Sequence, residues 1–455
     1  MKITTYLASE FAVLDSNVYH GGGTDSTKAL QAILDKANEN EGVRLIMDGA
    51  ALVSQLELSS NTVIECLTKD CGFYQKDGSD CAVLTNKIWD MRSRQTRNIS
   101  LIGGTYNQNC KNQAHDVPAT KALLSPGRDD RQTDMPVERH WVYGVEFYGV
   151  ENFLMRDVTV RDFRTFAVMI GGFKNVTIED VWLDLPGHTD AQNQDGFHFW
   201  GPGQFLNVKN TGGRVGDDFM NLGPDEHDGV SSITDVVVDG IFLEHADQAV
   251  RMLTYGTGTL DRVTLRNVSG TYRSFGFYIN CWFSGSTYGD FKNIFIENVD
   301  LRQEKPNYNY RAPMLFSIGG NIESLTMKNI RHHAPSDNRT LFEIGIPFYD
   351  IAWKFPEDNL PKMKNIFIED LKIIEDDDRG AGNEYIQVYL PLDNLVLKDV
   401  YAMRSGEKRG KLLTFKNTGK VGKLIMNDIF VVGLEKLVDE EEKCSLIMRS
   451  NVNNL

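Results

Sequence analysis

A repeat constrains this chain more than any other feature. A short alternating apolar segment, usually followed by Asn or Asp and a further apolar residue, recurs from mid-chain to the end. It reads "NVTIEDV" at Val176, "LNVKN" at Leu206, "DVVVDGI" at Val236, "RVTLRNV" at Val263 and "NIFIENV" at Ile294. It continues as "SLTMKNI" at Leu325, "NIFIEDL" at Ile366, "NLVLKDV" at Leu395 and "KLIMNDI" at Leu424. Earlier copies are "NISLIGG" at Ile99 and "NFLMRDV" at Phe153. From Val176 onward the copies keep a nearly even spacing, broken only by one longer step from Leu325 to Ile366. The period is roughly 30 residues, and short alternating strands at that period, with no helical periodicity, predict a solenoid of strands. The Leu-x-x-Leu-x-Leu pattern of leucine-rich repeats is absent, and propeller blades need about 40–45 residues. The expected fold is therefore all-β: a right-handed parallel β-helix with about three strands per coil and coils about 4.8 Å apart. The Asn or Asp after each strand suits a turn, because both tolerate left-handed backbone and bond their own main chain. The long coil after Leu325 must carry an extra loop, which includes "IPFYDIAWKFPEDN".

Open solenoid ends need caps. One helix is expected, in "TDSTKALQAILDKANENEG", with apolar Ala29, Leu30, Ile33, Leu34 and Ala37. Ser26 is its expected N-cap and Gly42 its expected end. The predicted organisation is one domain over residues 1–455. Its N-terminal segment and capping helix span 1–45, a long polar groove-wall loop spans 105–140, and the coils run to about 435.

Composition narrows the partners. A 41% hydrophobic content supports a large core, and 48 Lys+Arg against 63 Asp+Glu give a net charge of −15. With no Lys/Arg-rich block, nucleic acid is not an expected partner. No apolar run is long enough to cross a bilayer, so no membrane span is predicted. The N-terminal "MKITTYLASEFAVLDSN" lacks the apolar core and cleavage site of a signal peptide. The expectation is a cytoplasmic protein, or a secreted one if a signal has been removed. Cys66, Cys71, Cys81, Cys110, Cys281 and Cys444 show neither metal spacing nor a disulfide framework, which predicts reduced, mostly buried thiols. No cofactor or metal is predicted.

Chemistry enters at "GRVGDDFMNL", where Asp217 and Asp218 are adjacent in a strand-like run. Neighbouring strand residues face opposite ways, so two adjacent acids on a strand are costly unless the chain bends. The offsets from Leu206 to this pair, carried to the neighbouring copies, give Gly187 and His188 one coil earlier and Asp247 and Gln248 one coil later. A polar column along one edge follows, with both acids reaching the outer surface at a bend. Asp195, in "HTDAQNQDGFHFWGP", precedes Asp217 by three-quarters of an average coil. It is expected to face the pair across one or two coil spacings, roughly 5–10 Å. Inverting glycosidases place two carboxyls about 6.5–9.5 Å apart, with room for a water. Crowded carboxylates raise one another's pKa values, which can keep one protonated as an acid while others act as bases. Phe197, Phe199, Trp200 and Phe219 flank the motif and suit stacking on sugar rings.

Each feature has a plainer reading. An isolated Asp-Asp is usually a solvated turn; the "NQDG" partner at this spacing favours catalytic acids. His188 and His198 read as satisfied structural groups or as substrate contacts. Asp225, Glu226 and Asp228 read as a solvated loop in preference to a cation site. Asp376–Asp378 and Asp439–Glu442 read as solvated faces. Trp200 and Trp282 suit either sugar platforms or packing.

"NQDG", followed less than one average coil later by "GDD", resembles glycoside hydrolase family 28, the polygalacturonases. "GGGTDSTKALQAILDKA" resembles that family's entry into its capping helix, and "NISLIGGTYNQN" resembles an early coil. The resemblance covers most of the chain as architecture; as a specific motif it covers little beyond the stretch from Asn193 to Asp218. It implies that Asp218 is the general acid, that Asp195 and Asp217 hold and deprotonate the attacking water, and that the reaction inverts the anomeric centre without a metal. The sequence departs from the family's pattern in two places. Gln248 stands where the family has a histidine, in Gly-His-Gly, and Tyr278 and Asn280 stand where it has Arg-x-Lys, which grips the substrate carboxylate. Arg251 is a candidate replacement for that charge. The expected substrate is an oligo- or polysaccharide other than plain polygalacturonate. Candidate substrate contacts are His188, Asn193, His198, Trp200, Gln248, Arg251, Tyr278 and Asn280. The alternatives are a β-helix polysaccharide lyase, with Arg251 and the Asp225 cluster in service, and a non-catalytic, tail-spike-like glycan-binding protein. A homo-oligomer is compatible with each.

Overall fold

The computed structural model describes residues 2–113, 142–186, 193–281, 287–304, 314–333, 340–346, 356–375, 384–404 and 410–455. The chain forms two compact units, Met1–Asn221 with Glu244–Ala246, and Leu222–Leu243 with Asp247–Leu455.

In the first unit the strands stack in parallel, coil upon coil. Thr62, Ile99, Phe153, Val176 and Leu206 sit directly on one another in successive coils. All five are buried, and shielding each aliphatic or aromatic side chain contributes about 1.5–3 kcal/mol before entropy is counted. These are the repeat positions read from the sequence, with Thr62 added. Parallel strand–crossover–strand connections of this kind wind right-handed, and the architecture is a right-handed parallel β-helix. The bends come from single residues with left-handed backbone. Asn61, Asn98, Asn152 and Asn175 all have positive φ, a conformation that Asn adopts more readily than other non-glycine residues. Their amides form a ladder, each Nδ2 donating to the Oδ1 of the coil before, at 2.8, 3.1 and 3.0 Å. Neighbouring coils here are not of one length. The step from Val145 to its partner Val168 is shorter than the step from Val168 to its partner Phe197.

The predicted helix is present over Thr27–Leu34 and buries Leu30, Ile33 and Leu34. Its ends differ from expectation. Ser26 occupies the N-cap position, but its hydroxyl donates to the Val13 carbonyl; the Asp25 carboxylate accepts the Thr27 N–H instead. The helix closes at Asp35, before Gly42. The Asn38 side chain accepts N–H bonds from Asn40 and Glu41 and turns the chain. Gly42 then lies inside the strand Glu41–Met47, which pairs with an unforeseen first strand, Lys2–Leu7. The helix packs against the strands Glu41–Met47 and Leu56–Leu58, and Gln31 bonds both the N–H and the carbonyl of Glu57.

The second unit repeats the plan more evenly. Val236, Val263, Ile294, Leu325, Ile366, Leu395, Leu424 and Ile447 form one row in successive coils. The longest coil keeps the register of Leu325 on Ile366; much of its added length lies outside the described residues. Asn267, Asn298 and Asn329 form a ladder of the same kind, built on Asp239. Inside the coil, Phe277, Phe316 and Phe342 stack at 4.7 and 5.0 Å with nearly parallel rings. Tyr272 meets Nε2 of the buried His332 at 2.7 Å, and burial pushes that imidazole down to about 3. All six cysteines are unbridged, four of them buried.

Candidate active site

The site begins with two short approaches to strands. Asp195 and Gly196 lead into the strand Phe197–Arg214, and Gly216 and Asp217 lead into the strand that opens at Asp218 and runs to Gly223. The two approaches are clasped by main-chain bonds. Gly196 N–H donates to the Asp218 carbonyl at 2.8 Å, and Gly216 and Asp217 N–H both donate to the Gln194 carbonyl at 3.0 and 3.1 Å. The step from Asp195 to the acid pair is therefore one whole coil, not three-quarters of one, because this coil is shorter than the average repeat. The residues lying against the acid pair are Gln194 and Asp195. Gly187 and His188, placed there by the averaged repeat, lie outside the described residues. Gly196 matters for this clasp, since a Cβ there would collide with the carbonyl oxygen of Phe219.

Asp195, Asp217 and Asp218 are 1%, 4% and 0% exposed, so the acids are enclosed and do not stand on an open outer surface as expected. Asp217 precedes the first residue of its strand, and Oδ2 of its side chain accepts the Asn193 N–H at 2.9 Å. Asn193 itself has left-handed backbone. Asp195 Oδ2 lies 2.8 Å from Nδ1 of His198. His198 is fully buried, and its Nε2 meets the Asn221 amide nitrogen at 2.6 Å. Among the described residues, the buried side-chain carbonyls of Asn193 and Gln194 meet no hydrogen-bond donor. They are acceptors that a hydroxyl-bearing ligand or a water would satisfy.

An aromatic wall adjoins the acids. The His198 ring stacks on Phe166 at 3.9 Å, Phe166 stacks on Tyr143 at 4.8 Å, and Trp200 stands edge-on to His198 at 5.9 Å. Tyr148 lies 6.4 Å from Trp200 and 4.9 Å from the exposed Trp89, whose indole N–H is fixed by the Asn86 carbonyl. The segment around Asp90 and Met91 lies so close to the coil turns that a Cβ at Gly172 would strike the main chain of Met91. Glu146 sits in this wall, in register with Met169, which is in register with His198. Burial pushes the Glu146 carboxyl up to about 7, against the opposing effect of the Tyr148 hydroxyl at 3.4 Å.

The other candidate contacts lie in the second unit. Asn280 donates to the Ile346 carbonyl and accepts the Cys281 N–H, so both ends of its amide serve the main chain. Tyr278 packs with Leu253, Phe275 and Met314. Arg251, buried, is in register with Tyr278, and Gln248 with Phe275. Asp247, expected to continue the acid column, accepts the Ser274 hydroxyl and lies 3.7 Å from the buried Arg273 guanidinium. The Asp225 carboxylate accepts three backbone N–H groups, from Tyr255, Gly256 and Gly258, and Asp228 ties Val230 and Ser231. These acids organise their loops. Among the described residues no three His, Cys, Asp or Glu side chains gather as a metal site. Trp282 lies outside the described residues.

Sequence reading missed Asn221, Phe166, Tyr143, Glu146 and Trp89. One signal was available. Asn221 follows Asp218 by the same three residues that separate His198 from Asp195.

No family model matches the chain. Local similarity is to a polygalacturonase of Medicago sativa, 36% identical over 92 residues, which are 20% of each chain. An exopolygalacturonase of Oenothera organensis is 31% identical over 96 residues, 21% of this chain and 26% of the relative. The chain thus matches about a fifth to a quarter of the length of these curated relatives. In three dimensions it resembles a Yersinia enterocolitica family 28 exopolygalacturonase, with TM-score 0.51 and 12% identity over 99% of this chain and 78% of that one. A hyperthermoactive exopolygalacturonase from Thermotoga maritima gives TM-score 0.51 and 13% identity, over 99% and 91%. Over the locally matched part of its sequence the chain is similar to polygalacturonases. The solved structures share its fold; the local matches attach the polygalacturonase name to part of its sequence.

Proposed function

We propose that this polygalacturonase-like chain is a glycoside hydrolase acting on a pectin-like oligo- or polysaccharide with inversion at the anomeric carbon. One observation carries the reading: three enclosed carboxylates, Asp195, Asp217 and Asp218, lie on adjacent coils clasped by main-chain bonds. In this reading Asp218 protonates the leaving oxygen. Asp195 and Asp217 hold a water and take its proton as it attacks the opposite face of the sugar. The buried carbonyls of Asn193 and Gln194 supply acceptors for sugar hydroxyls or for that water. Inversion and the division of roles come from the resemblance to family 28 in the "NQDG" and "GDD" motifs.

The sugar held at the acids is, in this proposal, neutral or a decorated uronate. A bare uronate carboxylate calls for a basic partner. The positions that resemble the family's Arg-x-Lys carry Tyr278, packed among apolar side chains, and Asn280, bonded to main chain. The net charge of −15 also opposes a polyanion. A reducing-end assay over neutral, methyl-esterified and acidic pectic oligosaccharides checks this. Release from neutral or esterified members should exceed release from plain polygalacturonate at least tenfold. Strong cleavage of plain polygalacturonate would show the substrate assignment to be wrong, and cleavage of none would count against the hydrolase itself.

A further inference from the structure

His198 was a candidate substrate contact, yet its ring is sealed from solvent. It lies between two partners. Nδ1 faces Asp195 Oδ2 at 2.8 Å, and Nε2 faces the Asn221 amide nitrogen at 2.6 Å. Phe166 covers one face of the ring at 3.9 Å, and Trp200 meets it edge-on. An amide nitrogen only donates hydrogen bonds, so Nε2 must accept with its lone pair. A neutral imidazole that accepts at Nε2 carries its proton on Nδ1, and that proton points at Asp195. A hydrogen bond donated to a carboxylate favours its ionised form and fixes its rotation.

We propose that His198 is a positioning residue: Asn221 holds it as the neutral Nδ1–H tautomer, and it in turn orients Asp195 and keeps it a carboxylate, ready to act as base. The proposal rests on the hydrolase reading above and sharpens it, since a carboxylate that accepts a buried imidazole N–H is suited to take a proton from water and not to give one to a leaving group. The same arrangement accounts for why Asp195 and Asp218, each three residues before a polar strand residue, need not share a role. Asp195 has the His198 imidazole against it; Asp218 opens a strand whose residue at that offset, Asn221, bonds to His198.

Two measurements test this. In the full chain labelled with ¹⁵N-histidine, long-range ¹H–¹⁵N correlation reads the tautomer directly, with His198 assigned by the signal absent from His198→Asn. The expected result is a neutral ring protonated at Nδ1 from about pH 5 to 8, perturbed in Asn221→Leu. A ring protonated at Nε2, or an imidazolium across that range, would overturn the proposal. The second measurement separates positioning from packing. His198→Phe fills the same stack without a donor, while His198→Asn returns an N–H near the Nδ1 position. On a cleaved glycan His198→Phe should lower kcat by about 10–100-fold with KM little changed, because misplacing a reacting group by about 1 Å can cost about 10²-fold. The acid limb of its kcat/KM profile should move to higher pH, and His198→Asn should recover most of kcat. A His198→Phe enzyme with normal kcat and pH profile would reduce the histidine to packing and defeat the proposal. The tautomer is read without turnover, so an inactive wild type with the expected tautomer would count against the hydrolase reading while upholding the geometry.

Discussion

In the first unit the polar side chains around Phe197–Arg214 bond to one another: His198 to Asp195, and Asn221 to His198. In the second unit Asp247 meets the side chains of Ser274 and Arg273, but several similar groups are tied to main chain or sunk in apolar packing. Asn280 serves Ile346 and Cys281, Asp225 gathers three N–H groups, and Tyr278 lies among Leu253, Phe275 and Met314. Both units carry the same asparagine ladder and the same buried row. The difference teaches that the coil scaffold is indifferent to chemistry. The proposed function is placed where three enclosed carboxylates gather on adjacent coils.

The largest effect expected from that contrast is at Asp218. General acid–base catalysis is typically worth about 10²–10⁴-fold, so Asp218→Asn should lose that much turnover with folding intact. The loss should be smaller on an aryl glycoside, whose leaving group needs less protonation. Asp195→Asn and Asp217→Asn should hurt both substrate types alike. A drop below tenfold in Asp218→Asn would erase the distinction between the units, and equal losses on both substrates would mean that acid and base are interchanged.

A second effect, of a few kcal/mol, concerns pH and has opposite signs in the two units. Glu146 holds its proton in the folded state up to about 7, whereas its ordinary value is 4.5. Between those values the unfolded chain releases a proton that the folded chain keeps, so stability falls as pH rises, by about 3 kcal/mol in all. Glu146→Gln should remove that slope. His332 is depressed from 6.5 to about 3. Its contribution is whole above pH 6.5 and is lost as pH falls, by about 2 kcal/mol at pH 5. His332→Gln should flatten the acid side. Urea midpoints at pH 5 and 8 for both variants measure this, and slopes of the same sign would contradict it.

The smallest effect should be equal in both units. Asn152→Ala and Asn298→Ala each remove two ladder bonds at a left-handed residue. Each should lower stability by about 1–2 kcal/mol with kcat unchanged. A much larger loss in one unit would show that the ladders are not equivalent.

Much of the fold was legible in the sequence because an in-register stack writes itself as a period. Val236 to Leu424 are partners coil by coil, and the Asn and Asp after the strands do adopt left-handed backbone. The failures have local causes. Assuming one average coil length misplaced the neighbours of Asp217 and Asp218, because the coil that joins them to Gln194 and Asp195 is short. Gly42 read as a helix end, but the Asn38 turn acts sooner. Asp195 and the Asp217–Asp218 pair were legible as a spacing. The Asn221–His198–Asp195 chain was not, since it depends on which strand residues face one another across that shortened coil. Glu146 and Trp89 carry no motif: register recruits Glu146, and contacts with Tyr148 and Asn86 place Trp89.

The proposed inversion at a glycosidic centre rests on three carboxylates on adjacent coils. The most direct test is ¹H NMR of the first sugar released from a cleaved pectic oligosaccharide, recorded before mutarotation, with wild type and with Asp195→Asn. The account predicts a first anomer opposite to that of the bond cleaved, and no release by Asp195→Asn. A first product with retained configuration, or release undiminished in Asp195→Asn, would contradict it.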